Sequence, residues 1–204
     1  MLKAKVCVLV SGGGTNLQAI IDATKSGVIT SAQISAVIAS NSNAYALERA
    51  RQSGISNEVV CKKEMPSQAA FEQKLIETIE KYEADIIVLA GFMCILSEDF
   101  TKRYPERIIN VHPSLIPSFC GKGFYGLKVH EAALGYGVKV TGATVHFVNE
   151  IPDGGRIIAQ KAVCVEEGDT PEILQRRVME NAEWIILPEA VEKVAKEIIE
   201  RRKI

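Results

Sequence analysis

The sequence lacks the features that mark nucleic-acid-binding and membrane proteins. Its 24 basic and 25 acidic residues leave a net charge of −1, so there is no broad basic field for a polyanion. The longest apolar run, residues 86–96, is too short to span a bilayer. The run that follows Lys3 and Lys5 is too short for a signal-peptide core. We therefore expect a cytoplasmic protein without nucleic-acid or membrane partners.

Cysteine and histidine are also scarce. The five cysteines include no C-x-x-C pair, and no His/Cys grouping has the spacing of metal ligands. We expect free thiols in a reducing compartment and no metal site. Cys7 and Cys164 lie in strand-like runs and are expected to be buried. The three histidines are His112, His130 and His146.

Strand-like and helical segments alternate through the first half of the chain. Apolar β-branched runs predict strands at 4–10, 34–40, 57–61, 85–90 and 107–112, and helical spacing predicts helices at 15–27, 44–54 and 67–82. Two later β-rich runs, 139–150 and 155–167, predict an antiparallel extension. Thr170 and Pro171 predict a helix start. The pattern indicates an α/β fold, Rossmann-like and three-layered, with a mostly parallel sheet extended by antiparallel C-terminal strands.

The chain length of 204 residues, with 47% hydrophobic residues, suits one domain over 1–204. Residues 1–112 form its βαβ half. Residues 113–204 hold a loop rich in glycine and proline, the β extension and the C-terminal helices. Pro188 is expected to kink or break the last helical region.

A glycine-rich stretch joins the first strand to the first helix. In this glycine loop, SGGGTN at residues 11–16, free backbone N–H groups at a helix N-terminus can bind a phosphate. The alternative is a tight turn that needs glycine only for its φ angles. Residue 17 is leucine and the second strand ends without an acid, which disfavours a dinucleotide site. The P-loop G-K-[ST] is absent, so a single phosphate on a small metabolite fits better.

Asn110 and His112 lie two residues apart at the predicted carboxyl end of a parallel strand, where open α/β sheets bind ligands. A strand histidine is also common as a packing residue. The apolar run 86–96 indicates either core or an apolar ligand pocket at the same edge.

Asp153 lies in PDGG, which also suits a plain hairpin turn. A carboxylate near His112 would favour its imidazolium form, but spacing alone does not place Asp153 there. His146 is expected to be structural or supporting, and His130 to be exposed or to support a loop.

Six stretches resemble the phosphoribosylglycinamide (glycinamide ribonucleotide) formyltransferases, within the folate-dependent formyltransferase superfamily. They are VLVSGGGTNLQAIID, LERARQSGI, VLAGFMCILS, INVHPSLIPSF, VTGATVHFV and PDGG, and they occur in order over almost the whole chain. The resemblance implies a metal-free one-carbon transferase of purine (IMP) synthesis. It would move a formyl group directly from 10-formyltetrahydrofolate to the amine of 5-phosphoribosylglycinamide.

The resemblance also implies residue roles. The catalytic residues would be Asn110, His112 and Asp153. The phosphoribosylglycinamide site would comprise Gly13, Gly14, Thr15, Asn16 and, more loosely, Glu183. The folate site would comprise Met93, Cys94, Ile95, Leu96, Asn110 and Gln68.

The chain departs from the family pattern at two folate positions. Cys94 and Gln68 stand where relatives can carry arginines, so Lys122 or Lys128 is a hypothetical source of charge for the folate tail.

Two other superfamily members are less compatible with the sequence. A methionyl-tRNA formyltransferase is expected to carry a long C-terminal domain, and a formyltetrahydrofolate hydrolase an extra N-terminal one. A phosphate-binding module without catalysis is disfavoured by the Asn110, His112 and Asp153 set. The expected partners are small-molecule substrates, and the protein could be a monomer or a homodimer.

Overall fold

The computed structural model describes residues 2–202, which form a seven-stranded sheet with helices on both faces. The strands are β1 (Ala4–Val10), β2 (Ala32–Ala39), β3 (Asn57–Val59), β4 (Ile86–Leu89), β5 (Ile108–His112), β6 (Val140–Phe147) and β7 (Ile157–Cys164). The helices are α1 (Thr15–Ser26), α2 (Tyr45–Gln52), α3 (Gln68–Lys81), α4 (Glu98–Arg103), α5 (Leu127–Tyr136), α6 (Pro171–Val178) and α7 (Trp184–Arg201). A 3-10 turn spans Lys62–Glu64, and a π turn spans Met179–Glu183.

The strand order is β3-β2-β1-β4-β5-β6-β7. Neighbouring strands from β3 to β5 pair in parallel, whereas β6 is antiparallel to β5 and β7 is antiparallel to β6. This arrangement confirms the predicted α/β class, including the antiparallel extension. Because β1, β4 and β5 are adjacent and parallel, their carboxyl ends lie at one edge of the sheet.

The predicted helices form because apolar stripes at helical spacing meet the two faces of the sheet. Leu17 and Ile20 of α1 join the core on one face, and Phe71, Leu75 and Ile79 of α3 join the core on the other. Local signals set the helix ends. Gly27 ends α1 in the left-handed conformation, and the Thr170 side chain accepts a hydrogen bond from the Ile173 amide at the start of α6. Helix α4, for which we made no prediction, starts at Ser97 in the same way.

One sequence prediction about the second half of the chain is wrong, and another is wrong in one of its two alternatives. Cys164 is exposed, because β7 is an edge strand with one neighbour and much of its surface open to solvent. Of the kink or break expected at Pro188, the break does not occur, since α7 runs continuously from Trp184 to Arg201. The irregular backbone lies one turn earlier, in the π turn that ends at Glu183.

A buried carboxylate ties α7 to the start of β2. The two oxygens of Glu192 accept hydrogen bonds of 2.8–3.0 Å from the backbone N–H and the hydroxyl of both Thr30 and Ser31. Burial alone would raise the pKa of Glu192, but these bonds to the charged form lower it to about 2. The contact fixes the C-terminal helix on the face of the sheet that carries α1.

We predict that Glu192→Gln lowers the free energy of unfolding by about 2 kcal/mol at pH 7. The NH2 group of the glutamine amide would face the N–H and O–H donors of Thr30 and Ser31, so hydrogen bonds would be lost. Urea denaturation measures the change. Glu189→Gln, an exposed change on the same helix, should stay within about 0.5 kcal/mol of wild type. The folded-state pKa of Glu192 lies below its ordinary value, so its contribution is complete above pH 4.5 and is lost as the pH falls toward 2. A Glu192→Gln deficit that did not shrink over that interval would contradict the assignment.

Candidate active site

Three chain segments leave the sheet at the edge where β1, β4 and β5 end. The glycine loop follows β1, residues 90–97 follow β4, and Asn110 and His112 lie within the end of β5. The turn after β6 folds back to the same edge: β6 runs antiparallel to β5 with His146 opposite Asn110, and Asp153 in that turn lies beside both His112 and His146. The site therefore combines residues that are more than 100 positions apart in sequence.

A cluster of polar side chains surrounds Asp153. His112 Nδ1 lies 3.6 Å from Asp153 Oδ2, and His146 Nε2 lies 3.6 Å from Asp153 Oδ1. Asn110 Nδ2 lies 3.3 Å from His146 Nε2. The structure thus brings together Asn110, His112 and Asp153, and it adds His146, whose role sequence reasoning had placed among structural or supporting residues. His146 lies at the site because the β5–β6 register pairs it with Asn110, and that register cannot be read from the sequence.

The cluster is electrostatically balanced around a carboxylate. Asp153 is mostly buried, and burial alone would raise its pKa. The two histidines and a 2.8 Å hydrogen bond from the Gly121 amide outweigh that effect, so the pKa of Asp153 lies below its ordinary value. Asp153 is therefore ionised at neutral pH and lies beside two imidazole rings.

Residues 113–126, the site loop, cover this cluster. His112 Nε2 lies 2.9 Å from the carbonyl oxygen of Phe119, which it can reach as a donor, and the Gly121 amide binds Asp153. Phe119 has a φ of 49°, an unusual value for a side chain of its size. The site loop therefore uses hydrogen-bonding positions on both His112 and Asp153.

The glycine loop needs glycine for its backbone at one position. Gly14 has a φ of 72°, and a Cβ atom there would lie 2.6 Å from Ala46 Cβ. At Gly12 and Gly13 a Cβ would meet no atom within 4 Å, and neither residue has a left-handed φ. The turn explanation therefore accounts for Gly14 alone, while Gly12 and Gly13 leave open space in front of the α1 N-terminus.

Asn16 and Glu183 meet beside the glycine loop. Asn16 Nδ2 donates a 2.7 Å hydrogen bond to Glu183 Oε2, and Asn16 Oδ1 is buried without a partner among the described residues. Glu183 is buried, which raises its pKa, and the bond from Asn16 opposes this only in part. The π turn Met179–Glu183 carries the glutamate to this position.

Residues 93–96 lie at the sheet edge and are not simply core. Met93 and Ile95 are 58% and 73% exposed, while Cys94 and Leu96 are half-buried against the core under α3. Gln68 Nε2 donates to the carbonyl of Ile95 at 3.0 Å, so Gln68 does lie at this segment. Of the two lysines considered for the folate tail, Lys122 is exposed and Lys128 Nζ lies 3.0 Å from Tyr125 Oη.

His130 contradicts its sequence prediction, which made it exposed or a loop support. It is fully buried on α5, and neither ring nitrogen has a hydrogen-bond partner among residues 2–202. Burial, and then the charge of His112, lower its pKa to about 4. The α5 face that carries His130 packs inward, which the short helical pattern did not reveal. His130 is therefore neutral at physiological pH.

Two further findings concern residues 2–202 as a whole. In that range no three His, Cys, Asp or Glu side chains are grouped to hold a metal ion. No helix in the same range is both long and apolar enough to cross a membrane.

The chain is similar in sequence to known proteins. The formyl transferase family matches residues 4–191. The chain is 45% identical to the trifunctional purine biosynthetic protein adenosine-3 of Bos taurus over 95% of its own length, but it spans only 18% of that relative. It is 42% identical to the phosphoribosylglycinamide formyltransferase of Escherichia coli, over 85% of this chain and 79% of that enzyme.

Solved structures show a matching similarity in fold. Glycinamide ribonucleotide transformylase 1 from Symbiobacterium toebii superimposes with a TM-score of 0.89 at 42% identity, covering 96% of this chain and 89% of that structure. The chain therefore belongs to the formyl transferase family and groups, within it, with the phosphoribosylglycinamide formyltransferases.

Proposed function

We propose that the protein transfers the formyl group of 10-formyltetrahydrofolate to the amine of 5-phosphoribosylglycinamide, a step of de novo purine (IMP) biosynthesis. The supporting observation is the cluster of Asn110, His112 and Asp153 beside an open glycine loop. One formyltransferase domain would span residues 1–204. The folate is a co-substrate, and the mechanism uses no metal.

The phosphoribosyl group fits the β1 end of the edge. Gly13, Gly14, Thr15 and Asn16 would bind the phosphate through backbone N–H groups and side-chain donors at the α1 N-terminus. Glu183, which accepts a hydrogen bond from Asn16, would accept hydrogen bonds from ribose hydroxyls. A phosphoribosyl group bound in this way would direct the glycinamide amine toward the end of β5.

The folate fits the neighbouring β4 end. The pterin would lie against Met93, Cys94, Ile95 and Leu96, with Asn110 at the boundary between the two substrates. Gln68 already binds the Ile95 carbonyl and Glu72, which supports a role in shaping this folate slot (residues 93–96).

The proposed chemistry is direct acyl transfer. The substrate amine forms a bond to the formyl carbon, and negative charge develops on the formyl oxygen. The amide N–H of Asn110 and the imidazolium of His112 are donors suited to that oxyanion. The carbon–N10 bond then breaks, the amine loses its extra proton and N10 gains one. Asp153 stabilises the imidazolium and can relay protons through water.

The site loop must move for this step. The Phe119 carbonyl accepts from the same Nε2 of His112 that would face the formyl oxygen. We infer that substrate binding replaces this contact, so that the loop acts as a lid over the folate side.

The first prediction from the proposed function tests the formyl-transfer activity and the role of His112 together. Purified protein with 10-formyltetrahydrofolate and 5-phosphoribosylglycinamide should turn over, followed by folate absorbance. His112→Ala should lower kcat by about 10²- to 10⁴-fold, because it removes an oxyanion donor. The affinity for 5-phosphoribosylglycinamide, measured by calorimetry, should change little. A wild-type protein that binds but never turns over would indicate a binding module instead.

The second prediction concerns the charge of Asp153. Asp153→Asn keeps the size of the side chain but removes the carboxylate that favours the imidazolium. We expect kcat to fall and its pH–rate profile to move to lower pH, since more acid is then needed to charge the imidazole. In wild type, Asp153 should stay ionised at pH values below the ordinary pKa of an aspartate, because its own pKa is lowered. An Asp153→Asn profile with unchanged shape would show that the carboxylate does not act through the histidine.

The third prediction uses the open space at Gly13. Gly13→Ala meets no protein atom, so the free energy of unfolding should stay within about 0.5 kcal/mol of wild type. The KM for 5-phosphoribosylglycinamide should rise about tenfold or more, because the methyl group blocks hydrogen bonds to the phosphate. The KM for the folate should not change. Gly135→Ala, another position with open space, is the control. Equal KM values for Gly13→Ala and wild type would show that the phosphate does not bind to this loop.

A further inference from the structure

One serine side chain joins three strand ends at the active-site edge. Ser11 follows β1 and begins the glycine loop, Ser40 follows β2, and Met93 follows β4. The Ser11 hydroxyl accepts a 2.8 Å hydrogen bond from the Met93 amide and lies 2.7 Å from the Ser40 hydroxyl. Ser11 is half-buried, so its hydroxyl is committed to the protein.

The segment that Ser11 holds has few other attachments. The Ala90 amide still binds the β1 carbonyl of Leu9, and the Ser97 amide binds Glu72. Between these ends, Ser11 at Met93 and Gln68 at Ile95 are the side-chain hydrogen bonds to the backbone among the described residues. Gly91 adopts a left-handed φ of 71°, and Met93 and Ile95 are largely exposed. Besides the packing of Cys94 and Leu96 on the core, the folate slot is therefore held by one hydrogen bond from α3 and one from the glycine loop.

The Ser11 contact differs from the Gln68 contact in what it connects. Ser11 is bonded to Gly12, so a phosphate that orders the backbone of Gly12 to Gly14 also restrains Ser11. The hydrogen bond passes that restraint to the Met93 amide, inside the folate slot. Gln68 belongs to α3 and has no link of this kind to the glycine loop.

We propose that the Ser11–Met93 hydrogen bond couples the two substrate sites, so that occupation of the glycine loop increases folate affinity and the reverse. Ser11 is a positioning residue, because it acts through Met93. The inference rests on the proposed function for the identity of the two ligands. Reciprocity requires that the same factor describes both directions of the coupling.

The test is a binding cycle with two ligands that cannot react together. Tetrahydrofolate has no formyl group to donate, so its Kd can be measured by calorimetry with and without saturating 5-phosphoribosylglycinamide. In wild type the Kd should be about fivefold or more lower when the second ligand is present. In Ser11→Ala that ratio should fall about threefold or more, toward a value of one, which is the size of effect expected for the loss of one hydrogen bond.

Two control variants separate coupling from local damage. Ser40→Ala removes the other partner of Ser11 but keeps the Met93 contact, so its ratio should match wild type. Gln68→Ala removes the second anchor of the folate slot, so it should weaken tetrahydrofolate binding without changing the ratio. Urea denaturation of each variant checks that the fold is retained.

The outcomes distinguish the inference from the proposed function. A ratio in Ser11→Ala equal to that of wild type overturns the coupling role, as does a wild-type ratio of one. In both of these cases the formyl-transfer assay can still succeed. A wild-type protein that binds neither ligand would instead remove the proposed function itself.

Discussion

The parallel alignment of β1, β4 and β5 is the constraint on which the site depends. Neighbouring parallel strands end at the same edge, and each continues into a segment with a different chemical character. The β1 end leads into the glycine loop, the β4 end into an apolar segment, and the β5 end carries a polar pair. The sheet thus brings a glycine-rich turn at a helix N-terminus, an apolar surface and a polar pair side by side, and no segment has to cross the core to reach the others.

The antiparallel extension completes what the parallel strands begin. Pairing β6 with β5 places His146 opposite Asn110, and the turn after β6 then returns Asp153 to the same edge. The C-terminal helices contribute from the other side, where Glu183 reaches Asn16 and Glu192 anchors α7 to the start of β2. The site and its supports therefore take side chains from both the first and the last third of the chain.

The sequence predicted the parts of this arrangement that depend on local patterns. Periodicity located the strands, and the two-residue spacing placed Asn110 and His112 on one face. Periodicity could not place Asp153. Its approach to His112 depends on the β5–β6 register and on the left-handed backbone of Asp153 itself, whose φ is 56°. It also misjudged Cys164 and His130, because burial is decided by which strand is at the edge and which helix face packs inward. The Ser11 contact to Met93 joins residues 82 positions apart, and a serine carries no pattern that would reveal it.

Hydrogen-bond geometry distinguishes the two histidines beside Asp153. His146 Nδ1 lies 2.8 Å from the Phe147 carbonyl, and its Nε2 lies 3.3 Å from Asn110 Nδ2 and 3.6 Å from Asp153 Oδ1. Both ring nitrogens of His146 therefore face protein atoms of the sheet and of the cluster. His112 presents Nδ1 to Asp153 and Nε2 to the Phe119 carbonyl of the site loop. In the proposed reaction a substrate oxygen would replace that loop carbonyl at Nε2, while Asp153 would hold the ring from Nδ1. His112 is thus the histidine of the pair that is suited to meet a substrate, and His146 is suited to support the cluster.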